Sequence, residues 1–182
     1  MPVAVNTLLL TIMNKPASVP VKTAFAPIAD ENCTILLLGT MPGDRSLSLQ
    51  QYYGHAGNHF WKLIYAIFNT PLNPDYEARK QFLLQQGIAL WDVLESCTCE
   101  GSLDSNIKNE VVNDFASFYQ EHPLITHIFF DSKKAEEFYL RHVKKSKDKI
   151  YHLLPSPSGA NASKTFAQKL EAWKELLLYV KK

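Results

Sequence analysis

Four short stretches place polar and small residues where apolar runs stop. They are Gly39-Thr40-Met41-Pro42-Gly43-Asp44, the Trp91-Asp92 corner, Phe130-Asp131-Ser132, and Leu154 through Asn161, which reads LPSPSGAN. Each follows a run with the length and composition of a buried strand. Open α/β sheets bind their ligands outside the carboxyl ends of the strands, so corners of this kind should meet at one edge of a sheet. Asp44 follows the first turn and is a candidate partner for a reacting water; its plainer role is a cap or a solvated turn carboxylate. Histidine titrates near neutrality, which makes His55 a candidate proton carrier, with an ordinary loop hydrogen bond as the alternative. No G-x-S-x-G elbow, Walker A loop or zinc-ligand spacing occurs. Cys97-x-Cys99 has no second cysteine pair or nearby histidines to complete a metal site and reads as structural.

The elements that must carry these corners alternate between two periods. Thr34–Leu38 is the first strand, ended by Gly39. A helix over about 58–68 has Phe60, Trp61, Ile64, Tyr65 and Phe68 at helical spacing. Asn73-Pro74 resembles an N-cap followed by proline at the first helical position, which predicts a helix over about 74–86, stopped by Gly87. Ile88–Val93 is the second strand, Glu95–Asn106 a polar loop, and a helix follows over about 109–121, closed by Pro123. Ile125–Phe130 is the third strand, and Asp131-Ser132 caps a helix over about 132–143. Ile150–Leu154 is the fourth strand. The last helix covers about 162–180, with Phe166, Leu170, Trp173, Leu176 and Leu177 on one face. Alternating strands and helices predict an α/β fold: a three-layer α/β/α sandwich with a central, mostly parallel sheet of about four strands and right-handed crossovers. Residues 1–24 are expected to form an irregular N-terminal extension and 25–182 a single domain, with Phe25 and Ile28 tucked into its core.

At 182 residues and 46% hydrophobic composition the chain can bury a substantial core. A formal net charge of +1 does not by itself point to nucleic acid, but it allows a local basic face. Lys164 and Lys169 follow the Ser/Gly loop and are placed to meet phosphates, which would make binding salt-sensitive. The run Lys144–Lys149 lies at the start of a strand, opposite the expected site, and reads as a solvated turn. Three cysteines give no secreted disulfide framework and are one short of an all-cysteine iron–sulfur site. The expected location is intracellular, cytoplasmic in a bacterium or nuclear in a eukaryote. No apolar run reaches membrane-spanning length, and Val3–Met13 lacks the basic flank of a signal peptide.

Several of these segments, in order, resemble a known family. They are Phe25-Ala26-Pro27-Ile28, Gly39 through Gly43, Tyr52-Tyr53-Gly54-His55 with Asn58, Phe60 and Trp61, Trp91-Asp92-Val93-Leu94, Gly101-Ser102-Leu103-Asp104-Ser105, and Leu154-Pro155-Ser156. Any one tetrapeptide is weak, but the ordered set is specific. It is similar to the uracil-DNA glycosylase superfamily, and within it to the deoxyinosine (hypoxanthine) DNA glycosylases. The mismatch-specific branch is similar too, with the same spacing from its first motif to Asn-x-Phe-Trp.

The resemblance implies a monofunctional DNA glycosylase that opens base excision repair by hydrolysing the N-glycosidic bond of a deaminated base, hypoxanthine foremost. Its partner would be DNA containing a damaged base, with no cofactor, no metal and no membrane, and it would act as a monomer. No lysine stands out as an imine-forming nucleophile. Excision of uracil or a mismatched pyrimidine is the alternative activity, and a non-catalytic damaged-DNA-binding module the alternative class. Two positions depart from the family pattern. Met41 stands where most members carry Asp or Asn, and Leu154 where the uracil branch carries His.

By the same resemblance Asn58 would hold the attacking water, with a helix cap as its plainer role. Thr40, Met41, Tyr53 and Asp131 would bind the base, Tyr53 by stacking on it unless it is a core aromatic. Asp131 replaces an Asn that reads the base edge in relatives. A carboxylate can accept hypoxanthine N1–H but cannot donate to O6 unless protonated; capping is its alternative. Pro155, Ser156, Ser158, Gly159, Asn161 and Lys164 would grip the DNA backbone, and their loop would wedge into the gap left by the base.

Overall fold

The second strand of the chain, Ile35–Gly39, is buried at every residue, the pattern of a strand covered on both faces. The computed structural model that contains it describes residues 19–180. In chain order the described elements are β1 (Val21–Thr23), β2 (Ile35–Gly39), α1 (Asp44–Leu49), α2 (Phe60–Ile67), α3 (Tyr76–Gln85), β3 (Ile88–Asp92), β4 (Leu94–Thr98), β5 (Lys108–Val112), α4 (Phe115–Glu121), β6 (His127–Phe130), α5 (Lys133–His142), β7 (Ile150–Leu153) and α6 (Phe166–Trp173). Short 3-10 turns cover Asp104–Asn106 and Lys174–Leu178.

Four strands form a parallel sheet in the order β3-β2-β6-β7. Successive side chains point to opposite faces, so β2 divides itself between two cores. Leu36 and Leu38 join Ala89, Trp91, Ile128 and Phe130 under α4 and α5. Ile35 and Leu37 join Ile88, Leu90 and Phe129 under α2, α3 and α6. The result is the expected three-layer α/β/α arrangement. Phe25 and Ile28 pack against the second core, and Ile28 makes an antiparallel bridge to Leu90.

A second sheet was not foreseen. β1, β4 and β5 form a three-stranded antiparallel sheet in the order β1-β4-β5. β4 (Leu94–Thr98) takes the start of the expected polar loop Glu95–Asn106, β5 (Lys108–Val112) overlaps the start of the expected helix over about 109–121, and β1 falls in the expected irregular extension. Residues 1–18, the rest of that extension, lie outside the described residues.

Helix starts also moved, for identifiable reasons. Asp75, not Asn73, caps α3 by accepting the Ala78 N–H at 2.8 Å. Ser132 caps α5 by accepting the Ala135 N–H at 3.1 Å, which leaves the Asp131 side chain uncommitted to the helix. α6 starts at Phe166 because Thr165 and Gln168 close a reciprocal capping box there.

Candidate active site

The carboxyl ends of β2, β3 and β6 open onto one pocket of about 890 Å3, and the loop after β7 forms its far wall. That volume suits a small organic group. Ten of the thirteen candidate residues line it: Thr40, Met41, Tyr53, His55, Asn58, Asp131, Ser156, Ser158, Gly159 and Asn161. Three do not. Asp44 sits in the first turn of α1 with its carboxylate ion-paired to Lys22, which holds it below the usual carboxylate range. The Pro155 carbonyl accepts the Trp173 indole N–H at 2.9 Å. Lys164 is exposed beyond the loop.

The two loops touch. His59 N–H donates to the Pro157 carbonyl at 2.8 Å. A Cβ on Gly159 would come within 2.4 Å of the Gly57 carbonyl oxygen, so glycine is what permits this approach. Lys169 supports the contact from behind. It is fully buried, and its Nζ donates to the Ser158 carbonyl at 2.9 Å. It therefore holds the loop rather than meeting phosphate, as its sequence position had suggested. Ser156 and Ser158 hydroxyls accept backbone N–H groups of Ser158 and Ala160. Asn161 Oδ1 accepts from Ser163. The loop is a run of turns held by its own side chains.

Tyr53 forms one wall. Its backbone has φ 52°, in the left-handed region that non-glycine residues rarely adopt. One ring face lies on Phe60, 3.8 Å between centroids and nearly parallel, and the residue lines the pocket. Its hydroxyl donates to Asp131 Oδ2 at 2.8 Å. Asn58 Oδ1 accepts the Phe60 N–H at 2.9 Å, so it does support the start of α2. Among the described residues, one oxygen lone pair and both amide hydrogens remain for other partners. His55 Nδ1 accepts the Gly57 N–H at 3.0 Å, the loop hydrogen bond that was its plainer reading. Thr40 donates to Asp104 Oδ2 at 2.8 Å, and Met41 packs against the core.

Sequence reasoning named Asp92 and Asp104 within motifs but gave neither a role at the site. Both line the pocket. Asp92 ends β3 directly beside Gly39, which ends β2. A Cβ on Gly39 would meet Asp92 Oδ1 at 2.5 Å, the Tyr53 hydroxyl at 3.0 Å and Asp131 Oδ2 at 3.6 Å. Three groups thus converge on one bare backbone position. Burial raises all three carboxyls. Asp131 is pushed up to about 7, with Asp104 adding to the rise and the Tyr53 hydroxyl opposing it. Asp92 is raised well above the ordinary range by burial, then by the charges of Asp131 and Asp104. Asp104 is raised by burial against the Thr40 hydrogen bond.

Comparison with known proteins finds relatives in sequence and in structure. Residues 26–177 match the sequence profile of the family described as the Uracil DNA glycosylase superfamily. A Methanosarcina barkeri protein named hypoxanthine DNA glycosylase is 36% identical over 155 residues, 85% of this chain and 96% of the relative. A Methanosarcina acetivorans protein of the same name is 39% identical over 142 residues, 78% of this chain and 89% of the relative. The solution NMR structure of a Methanosarcina acetivorans protein, described as a candidate uracil DNA glycosylase, superposes with a TM-score of 0.73 at 34% identity. It covers 87% of this chain and 99% of its own.

Proposed function

The chain belongs to the uracil DNA glycosylase superfamily, and from that membership we propose a monofunctional DNA glycosylase that removes hypoxanthine from DNA. One observation carries the reading beyond the family. Loops from opposite ends of the described chain close on a single pocket lined by Tyr53, whose ring is backed by Phe60 and whose hydroxyl meets the buried Asp131 carboxyl. A base in a duplex is stacked, so the nucleotide must swing out to reach such a pocket. Tyr53, backed by Phe60, offers a flat surface on which the extruded base stacks, an interaction of about 1–3 kcal/mol.

Bond cleavage then builds oxocarbenium character on the sugar and negative charge on the departing base. Donors fixed before the reaction stabilise that charge without reorganising. Water completes the hydrolysis. Met41 cannot bind or polarise it, so the free amide valences of Asn58 take that place in this reading. His55 stands nearby as a secondary candidate. Asp44, tied to Lys22, is a structural clamp in this account. The Ser156–Asn161 backbone grips the phosphates flanking the lesion, and Lys164 adds an outer charge.

The protein is expected to work as a monomer inside the cell, on DNA, as the opening step of base excision repair. No helix among the described residues is long and apolar enough to cross a membrane. Uracil excision is the second reading, favoured by the description of the solved relative. The test is incubation with duplexes carrying single deoxyinosine, uracil or ethenoadenine, followed by alkaline cleavage of abasic sites. Strand breaks at deoxyinosine support the proposal. Breaks confined to uracil support the second reading, and binding without breaks leaves only a recognition module.

A further inference from the structure

A floor of three carboxyls is an odd foundation for a site that receives DNA. Three ionised groups there would repel the phosphates and each other, so the proton count of the pocket needs an account. Asp92 is the least supported of the three. Its residue is only 4% exposed, and its Oδ2 has no hydrogen-bond partner among the described residues. An isolated buried carboxylate would carry a heavy desolvation penalty, which a proton removes. Asp131 differs, because the Tyr53 hydroxyl donates to it and stabilises its anion. Where two carboxyls share a site and one has the only donor, the charge settles on the supported one and the proton on the other.

Placement is fixed from several sides. The Asp92 carbonyl accepts from the Asn113 side chain at 2.8 Å. Val93 N–H donates to the Gly39 carbonyl at 2.8 Å, which locks the end of β3 beside the bare Cα of Gly39. The groups acting on Asp92 are Asp131 and Asp104, both acidic. Burial raises the phenols of Tyr52, Tyr53 and Tyr76 around it, so they too stay neutral. No basic group enters that set.

We propose that Asp92 is a second reader of the base, a carboxylic acid that donates to a ring carbonyl while the Asp131 carboxylate accepts the neighbouring ring N–H. This rests on the glycosylase reading above and extends it to substrate choice. Deamination of adenine converts an N1 acceptor and an exocyclic amine donor into an N1–H donor and an O6 acceptor. The acid–carboxylate pair matches the product edge and opposes the parent, because the adenine N1 lone pair would face the Asp131 anion and its amine would face the Asp92 O–H. The pair thus selects the lactam that deamination leaves behind. It also supplies a donor aimed at the oxygen where charge collects as the base departs. A lone carboxylate at position 131, in place of an amide, could not do both.

The pair works only while it carries one proton. Excision should rise with pH as Asp131 ionises and fall at higher pH as Asp92 does, a bell. Two measurements test this. In protein with 13C-labelled aspartate carboxyls, one aspartate should remain protonated above pH 7 in the wild type, and that resonance should vanish in D92N. Single-turnover excision from a deoxyinosine duplex should trace the bell in the wild type. D92N, whose amide donates at every pH, should lose the alkaline limb and keep the acid one. D92L should lose roughly tenfold or more at every pH. An ionised Asp92 at pH 7, or an alkaline limb unchanged in D92N, overturns the inference even if inosine is excised normally. Wild-type protein that excises no inosine at any pH overturns the glycosylase reading instead, and the carboxyl spectrum still decides the state of Asp92.

Discussion

Asn58 has two duties that the structure makes compatible. Its side-chain oxygen holds the first N–H of α2, while its amide nitrogen has no hydrogen-bond partner among the described residues and can serve a water. Asn58→Ala should therefore lower the single-turnover rate by roughly tenfold or more, with a stability loss of about 0.5–2 kcal/mol from the missing cap. A rate that holds while stability falls would leave capping as its whole role. Tyr53 couples the stacking wall to the base edge through its hydroxyl. That hydrogen bond lowers the affinity of Asp131 for its proton. Tyr53→Phe keeps the ring but removes the donor, so the acid limb of the excision profile should move to higher pH. A profile unmoved by this change would disconnect Tyr53 from Asp131.

At the scale of elements, the decisive contact joins the loop before α2 to the loop after β7. Gly159 faces backbone rather than a flexible side chain, and a Cβ there has nowhere to go. Gly159→Ala should push the loops apart and cost on the order of 10²-fold in excision, because displacements near 1 Å are that expensive at a reacting centre. Circular dichroism and the melting temperature should change little, since the loop lies outside both cores. Wild-type activity in this variant would mean that the loops do not act together.

The parallel sheet was legible because β2 and β3 are buried at every residue and read as largely apolar runs, and β6 is buried at three of its four residues. The second sheet was not. β4 and β5 are five-residue strands in which Glu95, Ser96, Lys108, Asn109 and Glu110 dilute the apolar signal, and β1 pairs with a segment far along the chain. The corners were legible from their glycines, prolines and carboxylates. What the corners do to one another was not. Asp131 escapes the cap only because Ser132 takes it, and the isolation of Asp92 depends on which donors the folded chain leaves near it.

For the molecule as a whole, the buried carboxyls tie stability to pH. Asp131 is pushed up to about 7 from an ordinary value near 3.8. Between those values the native state holds a proton that the unfolded chain has released. Its contribution is therefore fully present below the unfolded value and is lost as pH rises to about 7. Asp92 extends the same trend to higher pH. The melting temperature should fall from pH 5 to pH 8, and Asp131→Asn should be the more stable protein at pH 8. A melting temperature that rises over this range would show that the pocket carboxyls ionise freely. Such a cost, carried at the site and offset by two cores, is what a pocket built for a neutral base edge entails.

The central claim is that a swung-out base occupies this pocket. A structure of the protein bound to a duplex with 2′-fluorodeoxyinosine, whose glycosidic bond resists hydrolysis, tests it directly. The account predicts hypoxanthine lying on the Tyr53 ring, N1–H toward Asp131 and O6 toward Asp92, with the 155–161 loop on the flanking phosphates. A complex in which the inosine stays stacked in the duplex, or in which the DNA lies across another face, would contradict it.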